Sequence, residues 1–157
     1  MSSFEQVGVY AVAYTTAAIS MVLGWALVNG FHPAISEDFG AGEWSRIREK
    51  VRQGVLLAAL YAVPVTFGSW ATLNGLFVAM YGAKVLPSVP VAYVLFAGLL
   101  PGVMGSMLGI MVSAVGGIWL HVRLGLVMSV VNVALAMVLI PREGALGAAV
   151  ANTSAQG

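Results

Sequence analysis

The sequence predicts an all-α fold: a polytopic membrane helical bundle of about four transmembrane helices plus a short amphipathic helix. Two observations carry this. The 157 residues are 60% hydrophobic and 8% charged, whereas a soluble domain carries about 25% charged residues. The charges are also clustered. Arg46, Arg48, Lys50 and Arg52 fall close together with Glu37, Asp38, Glu43 and Glu49 around them, and long stretches elsewhere hold none. Four stretches have the roughly 20 mostly apolar residues that a spanning helix needs. The lipid bilayer is therefore the expected surrounding. A net charge of +1 supplies no basic field for nucleic acid. The absence of cysteine excludes disulfides and thiol chemistry. Met1 to Gln6 lacks Lys and Arg, and the apolar run behind it is too long for the core of a signal peptide.

The first span reads from about residue 8 to 31. Pro33 is expected to stop it, because proline lacks the amide a continuing helix needs. His32 to Gly42 reads as a polar, glycine-containing loop. In Glu43 to Gln53 the period changes. Trp44, Ile47 and Val51 share one helical face and the charged residues populate the rest, giving a short amphipathic helix at the membrane surface or a solvated connector. The second apolar run, Val55 to Tyr81, would be roughly 40 Å long as one helix, against a hydrocarbon core of about 30 Å. It is read as a span over residues 55–73, kinked at Pro64, then a short interfacial helix from Gly75 to Tyr81. The third span, 91–115, contains Pro101 and two small-xxx-small pairs, Gly98 with Gly102 and Gly105 with Gly109. Such spacing allows close approach of another helix, so these four glycines are read as helix-packing residues. The fourth span, 120–140, begins somewhere between Ile118 and Leu124 and ends before Pro141. Residues 144–157 resemble the start of a further, incomplete helix.

Orientation follows from the basic residues. Four lie in the connection between the first two spans, Lys84 follows the second span, Arg123 lies near the start of the fourth and Arg142 after it. Alternation then places the N-terminus outside, the Arg46 to Arg52 segment inside, Lys84 outside, Arg123 inside and Arg142 outside.

No enzyme constellation is present, and no cofactor motif. His32 and His121 lie far apart in sequence near span ends, without a second ligand at metal-binding spacing. Ser69 and Ser106 lack the context of a nucleophile elbow. No carboxylate sits deep in a span, where ionisable groups mark ion coupling or proton relays. The polar groups within spans are hydroxyls and amides: Thr15, Thr16, Ser20, Thr66, Ser69, Asn74, Ser106, Ser113, Ser129 and Asn132. Asn132, set among valines and alanine, needs a partner. It faces either a neighbouring helix or a wet cavity, and is the first candidate for substrate contact. Arg123 can snorkel to the interface or meet a phosphate, and is the second candidate.

Four segments, in order, carry a family resemblance. Gly8-Val9-Tyr10-Ala11-Val12-Ala13 is similar to a "vG-x-Y-x-x-A" helix opening. His32-Pro33-Ala34-Ile35-Ser36 with Gly42-Glu43 is similar to a "P-x-is" element and the acidic turn behind it. Met80-Tyr81-Gly82 is similar to an "l-f/y-G" element. Asn132, followed by Leu139-Ile140-Pro141-Arg142-Glu143-Gly144-Ala145-Leu146-Gly147-Ala148-Ala149-Val150-Ala151-Asn152-Thr153, is similar to an "N … L-i-P-x-x-G-i-x-G-A-a-i-A-t" run. The chain thus resembles the later part of the polysaccharide flippases of the multidrug/oligosaccharidyl-lipid/polysaccharide exporter superfamily, from their eighth helix to the start of the twelfth. The resemblance implies a piece of a twelve-helix transporter of two bundles that moves a lipid-linked sugar across the cytoplasmic membrane by alternating access. The missing helices of that transporter would be partners of this chain. It also implies a cationic cavity, to which this bundle offers only Arg123. A multidrug exporter fragment is the sibling reading, disfavoured by the lack of carboxylates in the spans. A small structural membrane protein acting through helix packing is the reading from another class.

The orientation is open to test. With single cysteines at Ser45 and Ser88, an impermeant thiol reagent applied to intact cells is expected to label the second and spare the first. Labelling of Ser45→Cys alone would overturn the topology.

Overall fold

A computed structural model describes residues 3–154, with side chains from residue 6 onward. These residues form α1 (Ser3–Asn29), α2 (Phe31–Gly40), α3 (Trp44–Tyr81), α4 (Val89–Ala114), α5 (Ile118–Glu143) and α6 (Ala145–Ser154), with a 3-10 turn, Ala83–Ser88, before α4. No strand occurs among the described residues. Four stretches are long and apolar enough to cross a membrane: Gln6–Gly40, Trp44–Tyr81, Ala83–Ala114 and Ile118–Glu143. The chain is an all-α, multi-pass membrane bundle. The architecture suits hydrocarbon because a helix satisfies its backbone hydrogen bonds within itself.

The core forms around α4. Val91, Ala92, Leu95, Phe96, Leu99, Val103 and Met107 are all buried, and α1, α3 and α6 all pack on this helix. Small residues on the partners allow it: Ala13 and Ala17 of α1, Ala58 and Ala62 of α3, and Ala149 and Ala151 of α6 are buried. A few polar bonds fix the register. Thr66 Oγ1–H donates to the carbonyl of Phe96 at 3.2 Å. The indole N–H of Trp70 donates to the carbonyl of Tyr93 at 3.1 Å. Tyr61 O–H donates to the carbonyl of Ser20 at 2.7 Å, tying α3 to α1.

The helix bounds depart from the sequence reading in four places. His32 to Gly42 is not a loop, since α2 covers most of it. The break with α1 falls at Gly30, and Pro33 sits in the first turn of α2, where an amide would have had no intrahelical partner anyway. Second, the amphipathic segment is not a separate helix but the first turns of α3. Third, α3 does not break after Leu73. It runs 38 residues and stays helical through Pro64 and Gly75, a length of roughly 57 Å that exceeds the hydrocarbon thickness. Leu73 and Phe77 are both buried, and Asn74 Nδ2–H donates to Tyr93 Oη at 3.4 Å. These contacts pin the helix on both sides of Gly75, outweighing its propensity cost of about 1 kcal/mol. Fourth, α5, which starts at Ile118 within the expected range, passes Pro141 to end at Glu143. Gly144, at φ +59°, ends it in a conformation that favours glycine. The tail then forms α6, which folds back against α4 and α5; residues 155–157 of the tail expected to be helical lie outside the described residues.

At the corner between α2 and α3, Ile35 is fully buried and Asp38 nearly so. The Asp38 carboxylate meets Lys50 Nζ at 2.6 Å, and the same ammonium donates to the carbonyl of Ala34 at 2.8 Å. This ion pair holds α2 against the base of α3. Lys50→Met leaves the Asp38 charge desolvated without a partner, a loss expected to be about 2–3 kcal/mol given the partial exposure of the lysine. The double change Lys50→Met with Asp38→Leu is expected to recover most of it. Thermal melting in detergent checks both; equal melting of wild type and Lys50→Met would remove the pair from the folding account. Ser88 is buried, so the exposed Ala83 is the better position for the cysteine expected to be labelled.

Candidate functional site

The polar groups of the spans divide into two kinds. Most hydroxyls bond to their own helix. Thr15, Thr16, Thr72, Ser113 and Ser129 each donate to a carbonyl four residues back, at 2.7–2.9 Å, and Ser106 donates to the carbonyl of Val103 at 2.8 Å. These protons need no other partner. Thr66 and Asn74 bond across to α4, and two polar-lined cavities lie at other seams.

The first is a cleft where the end of α1, the start of α2, the C-terminal half of α4 and the start of α5 meet. Its polar part, about 300 Å³, is lined by Trp25, Asn29, His32, Ser106, Ser113 and His121, with Gly109 and Ile110 beneath. It continues into an apolar groove of about 470 Å³ between α4 and α5, lined chiefly by Gly102, Gly105, Leu108, Val112, Leu124 and Met128. Trp25, Ser106, Gly109 and His121 belong to both parts. The groove exists because α5 docks mainly through α6 and touches α4 little, and no residue of α5 is buried. His32 and His121, far apart in sequence, thus line one cavity. The signal for this was present: the expected alternation of the spans puts both at the same end of the bundle. Among the described residues no group of three metal-ligating side chains exists, and no Asp, Glu, Lys or Arg lines this cleft.

The second place lies toward the other end of the bundle. Tyr10 and Tyr14 stack at 5.7 Å between ring centroids. With Asn132, Asn152, Ala136 and Ala148 they border a cavity of about 340 Å³ between α1, α5 and α6. Asn132 Nδ2–H donates to the carbonyl of Ala151 across the α5–α6 seam, at 3.4 Å. Arg123 is exposed, lines neither cavity, and forms no hydrogen bond or ion pair among the described residues. It lies nine positions before Asn132 on α5, about half a turn away around the axis. The structure therefore does not bring the two sequence candidates together.

The four glycines of α4 also separate. Gly98 faces α6, where a Cβ would stand 2.7 Å from Thr153 Cγ2. Gly109 faces α5, where a Cβ would stand 2.7 Å from the His121 ring. Gly102 and Gly105 line the apolar groove. At the first two positions a side chain of the neighbouring helix, rather than its backbone, fills the notch.

A helical bundle with four apolar spans, polar seams and no reactive cluster resembles many membrane proteins, and the comparison with known families separates them. The family model MatE matches residues 2–141. The chain belongs to the MatE family. This places it in the exporter superfamily that the sequence segments resemble. A protein of Haloferax volcanii described as a probable flippase, AglR, is 28% identical over 153 residues. That alignment covers 95% of this chain and 32% of the relative, so the chain spans about a third of the length of the curated relative it matches. No solved structure matches it.

Glycine substitutions distinguish a packed notch from an open one. At Gly125 nothing lies within 4 Å of an added Cβ, so Gly125→Ala is expected to stabilise by about 0.4–1 kcal/mol through reduced backbone entropy. Gly98→Ala gains the same entropy but overpacks against Thr153, and is expected to lose a net 1 kcal/mol or so. Thermal melting of the two variants side by side measures the difference; an equal rise in both would show that α6 does not seat on α4 at Gly98.

Proposed function

We propose that the chain is part of a membrane transporter that moves a lipid-linked oligosaccharide, a polysaccharide precursor, across the cytoplasmic membrane by alternating access. The observation that carries this reading is the similarity of nearly the whole chain to a protein described as a probable flippase, within a family match over residues 2–141. The geometry supports it. The apolar cores of the spans hold hydroxyls and amides where an ion-coupled exporter would be expected to carry carboxylates, and the one nearly buried carboxylate among the described residues, Asp38 at the α2–α3 corner, is paired with Lys50. Two polar-lined cavities open at seams of the bundle, which suits a substrate with hydroxyls better than a compact cationic drug. In this reading Asn132, with the Tyr10–Tyr14 stack beside it, contacts the sugar. Arg123 faces outward from the described bundle and meets a phosphate, or the further helices of the transporter. The chain acts by carrying a substrate and not by catalysing a reaction.

Alternating access needs two halves that move against each other about a site near the midplane. Four spans cannot enclose a hydrophilic head group on every side, so the 157 residues by themselves are expected not to transport. The test is complementation in a strain lacking its sugar-lipid flippase, with residues 1–157 expressed alone and with the complementary helices of a related flippase on a second polypeptide. Surface polysaccharide is expected only with both pieces. Its return with the short chain alone would overturn the two-part reading, and its absence with both pieces would overturn the flippase reading.

A further inference from the structure

We propose that the apolar groove between α4 and α5 is the unfilled half of the seat of α6, and that its occupant is an apolar helical segment that follows residue 157 on the line of α6. The groove extends an interface already present. Asn132 of α5 bonds the carbonyl of Ala151, and Thr153 sits against Gly98 of α4 and donates to the carbonyl of Val94. Along α5, Met128, Gly125, Leu124 and His121 lie four, seven, eight and eleven positions before Asn132, and so share its face. They are all the residues of α5 that line the groove. Along α4, Gly102, Gly105 and Gly109 lie four, seven and eleven positions after Gly98, on its face, and they line the groove too. α6 also runs the right way. Gly147 lies against the carbonyl of Leu139, and Ala151 meets Asn132, so α6 is antiparallel to α5. α4 is antiparallel to α5 as well, since the two follow each other across a short turn with Gly109 against His121. Past Thr153 the line of α6 therefore passes between Gly102 and Met128, then toward Gly109 and His121.

Length and backbone chemistry say what the occupant is. Ala145–Ser154 covers 10 residues, roughly 15 Å, which is half of a hydrocarbon core of about 30 Å. A helix interrupted at that depth leaves the carbonyls of its last turn in hydrocarbon without donors. A helix that continues satisfies them. Parallel helices advance together, so the α4 lining from Gly102 to Val112 matches about four to fourteen positions past Thr153. Continuation to that level gives a helix of roughly 23 residues, the length of a full span. Small residues facing Gly102 and Gly105 would let it approach α4 closely. At the far end the groove meets the polar part of the cleft, lined by Asn29, His32 and His121. Asn29 gives one N–H to the carbonyl of Trp25 and keeps the other, and each imidazole offers an N–H. A helix ending there turns its last carbonyls toward these donors. A lipid chain or a second copy of α5 also fits an apolar groove, but neither carries on the backbone ladder of α6.

The experiment uses the full chain, which has no cysteine, extended after Gly157 by about ten residues of alanine and leucine, enough to reach the level of Val112. A glycine–serine extension of the same length is the control. A single cysteine is moved through one turn of the extension. It is paired with Leu124→Cys in the groove, or with Leu126→Cys, two positions on and so on the other side of α5. Oxidation in a non-ionic detergent is expected to link the apolar extension to Leu124→Cys, roughly fivefold or more above the link to Leu126→Cys, as the helical period requires. The apolar extension is also expected to melt about 3 °C or more above the control. Gly105→Trp, which fills the groove, is expected to abolish the link. Should that variant fail to fold, Leu108→Trp at the exposed rim serves instead. Equal linking at the two positions, a link that survives the groove-filling variant, or melting no higher than the control would overturn the seat. Links between copies through Leu124→Cys in place of the internal one would give the groove to a second chain. Phospholipid counted by native mass spectrometry on both extended chains, and displaced by the groove-filling variant, would give it to lipid. Packing is read without transport, so failure of complementation leaves this test intact.

Discussion

The packing of small residues against α4 is the constraint on which the other contacts depend. Lipid tails are as apolar as leucine, so helices in a bilayer gain nothing by hiding hydrocarbon from water; they associate through close van der Waals fit and a few interhelical hydrogen bonds. α4 supplies the fit. Its buried face takes alanines of α1, α3 and α6, and Gly98 opens the space that Thr153 fills. The carbonyls of Val94, Phe96 and Tyr93, all on α4, then accept from Thr153, Thr66 and Trp70. Each of these bonds reaches across a seam that the small residues have already closed. Removal of α4 would leave α1, α3 and α6 with little to hold them together.

The fold class was legible in the sequence because charge and length suffice for it. A run of more than twenty apolar residues has few alternatives, and four such runs give the bundle. The helix bounds were less legible because the local signals compete with packing. Pro33 reads as a stop, yet a proline in a first turn loses no bond, and the burial of Ile35 and Asp38 rewards continuing the helix as α2. The run to Tyr81 reads as too long for one span, yet Leu73, Asn74 and Phe77 tie the turns on both sides of Gly75 to α4 and its approach. In both places the contacts that carry the helix onward are visible only in three dimensions.

The site was legible in part. Asn132 stands out in sequence as an amide among aliphatic residues, and it does reach a neighbouring helix, bonding Ala151. The company it keeps could not be read, because Tyr10 and Tyr14 lie more than a hundred residues earlier. The meeting of His32 with His121 was legible only as a shared end of the bundle, not as a shared cavity. Each alone is an unremarked interfacial histidine, and only the antiparallel course of the spans brings the start of α2 to the start of α5. Arg123 carried the opposite lesson. Its charge made it conspicuous, but its place on α5 turns it away from the face that bears His121 and Asn132.

The distribution of burial has a consequence for how the chain is held in a membrane. α5 is the most apolar of the four candidate spans, yet none of its residues is buried. In water such a helix would collapse onto the core, because the driving force scales with the apolar area removed from solvent. In a bilayer that force is absent, and a helix with few small residues to offer has no reason to close against α4. A groove between them therefore carries no hydrophobic penalty in a bilayer. It stays open because opening exposes Leu108, Val112 and Met128 to hydrocarbon at no penalty. The same argument explains why the imidazoles gather where they do. At the midplane they would be costly to solvate, whereas at the starts of α2 and α5 they are exposed. A cleft apolar at depth and polar at its mouth is what the two solvents of a membrane select when one helix of a bundle is left free to lean away.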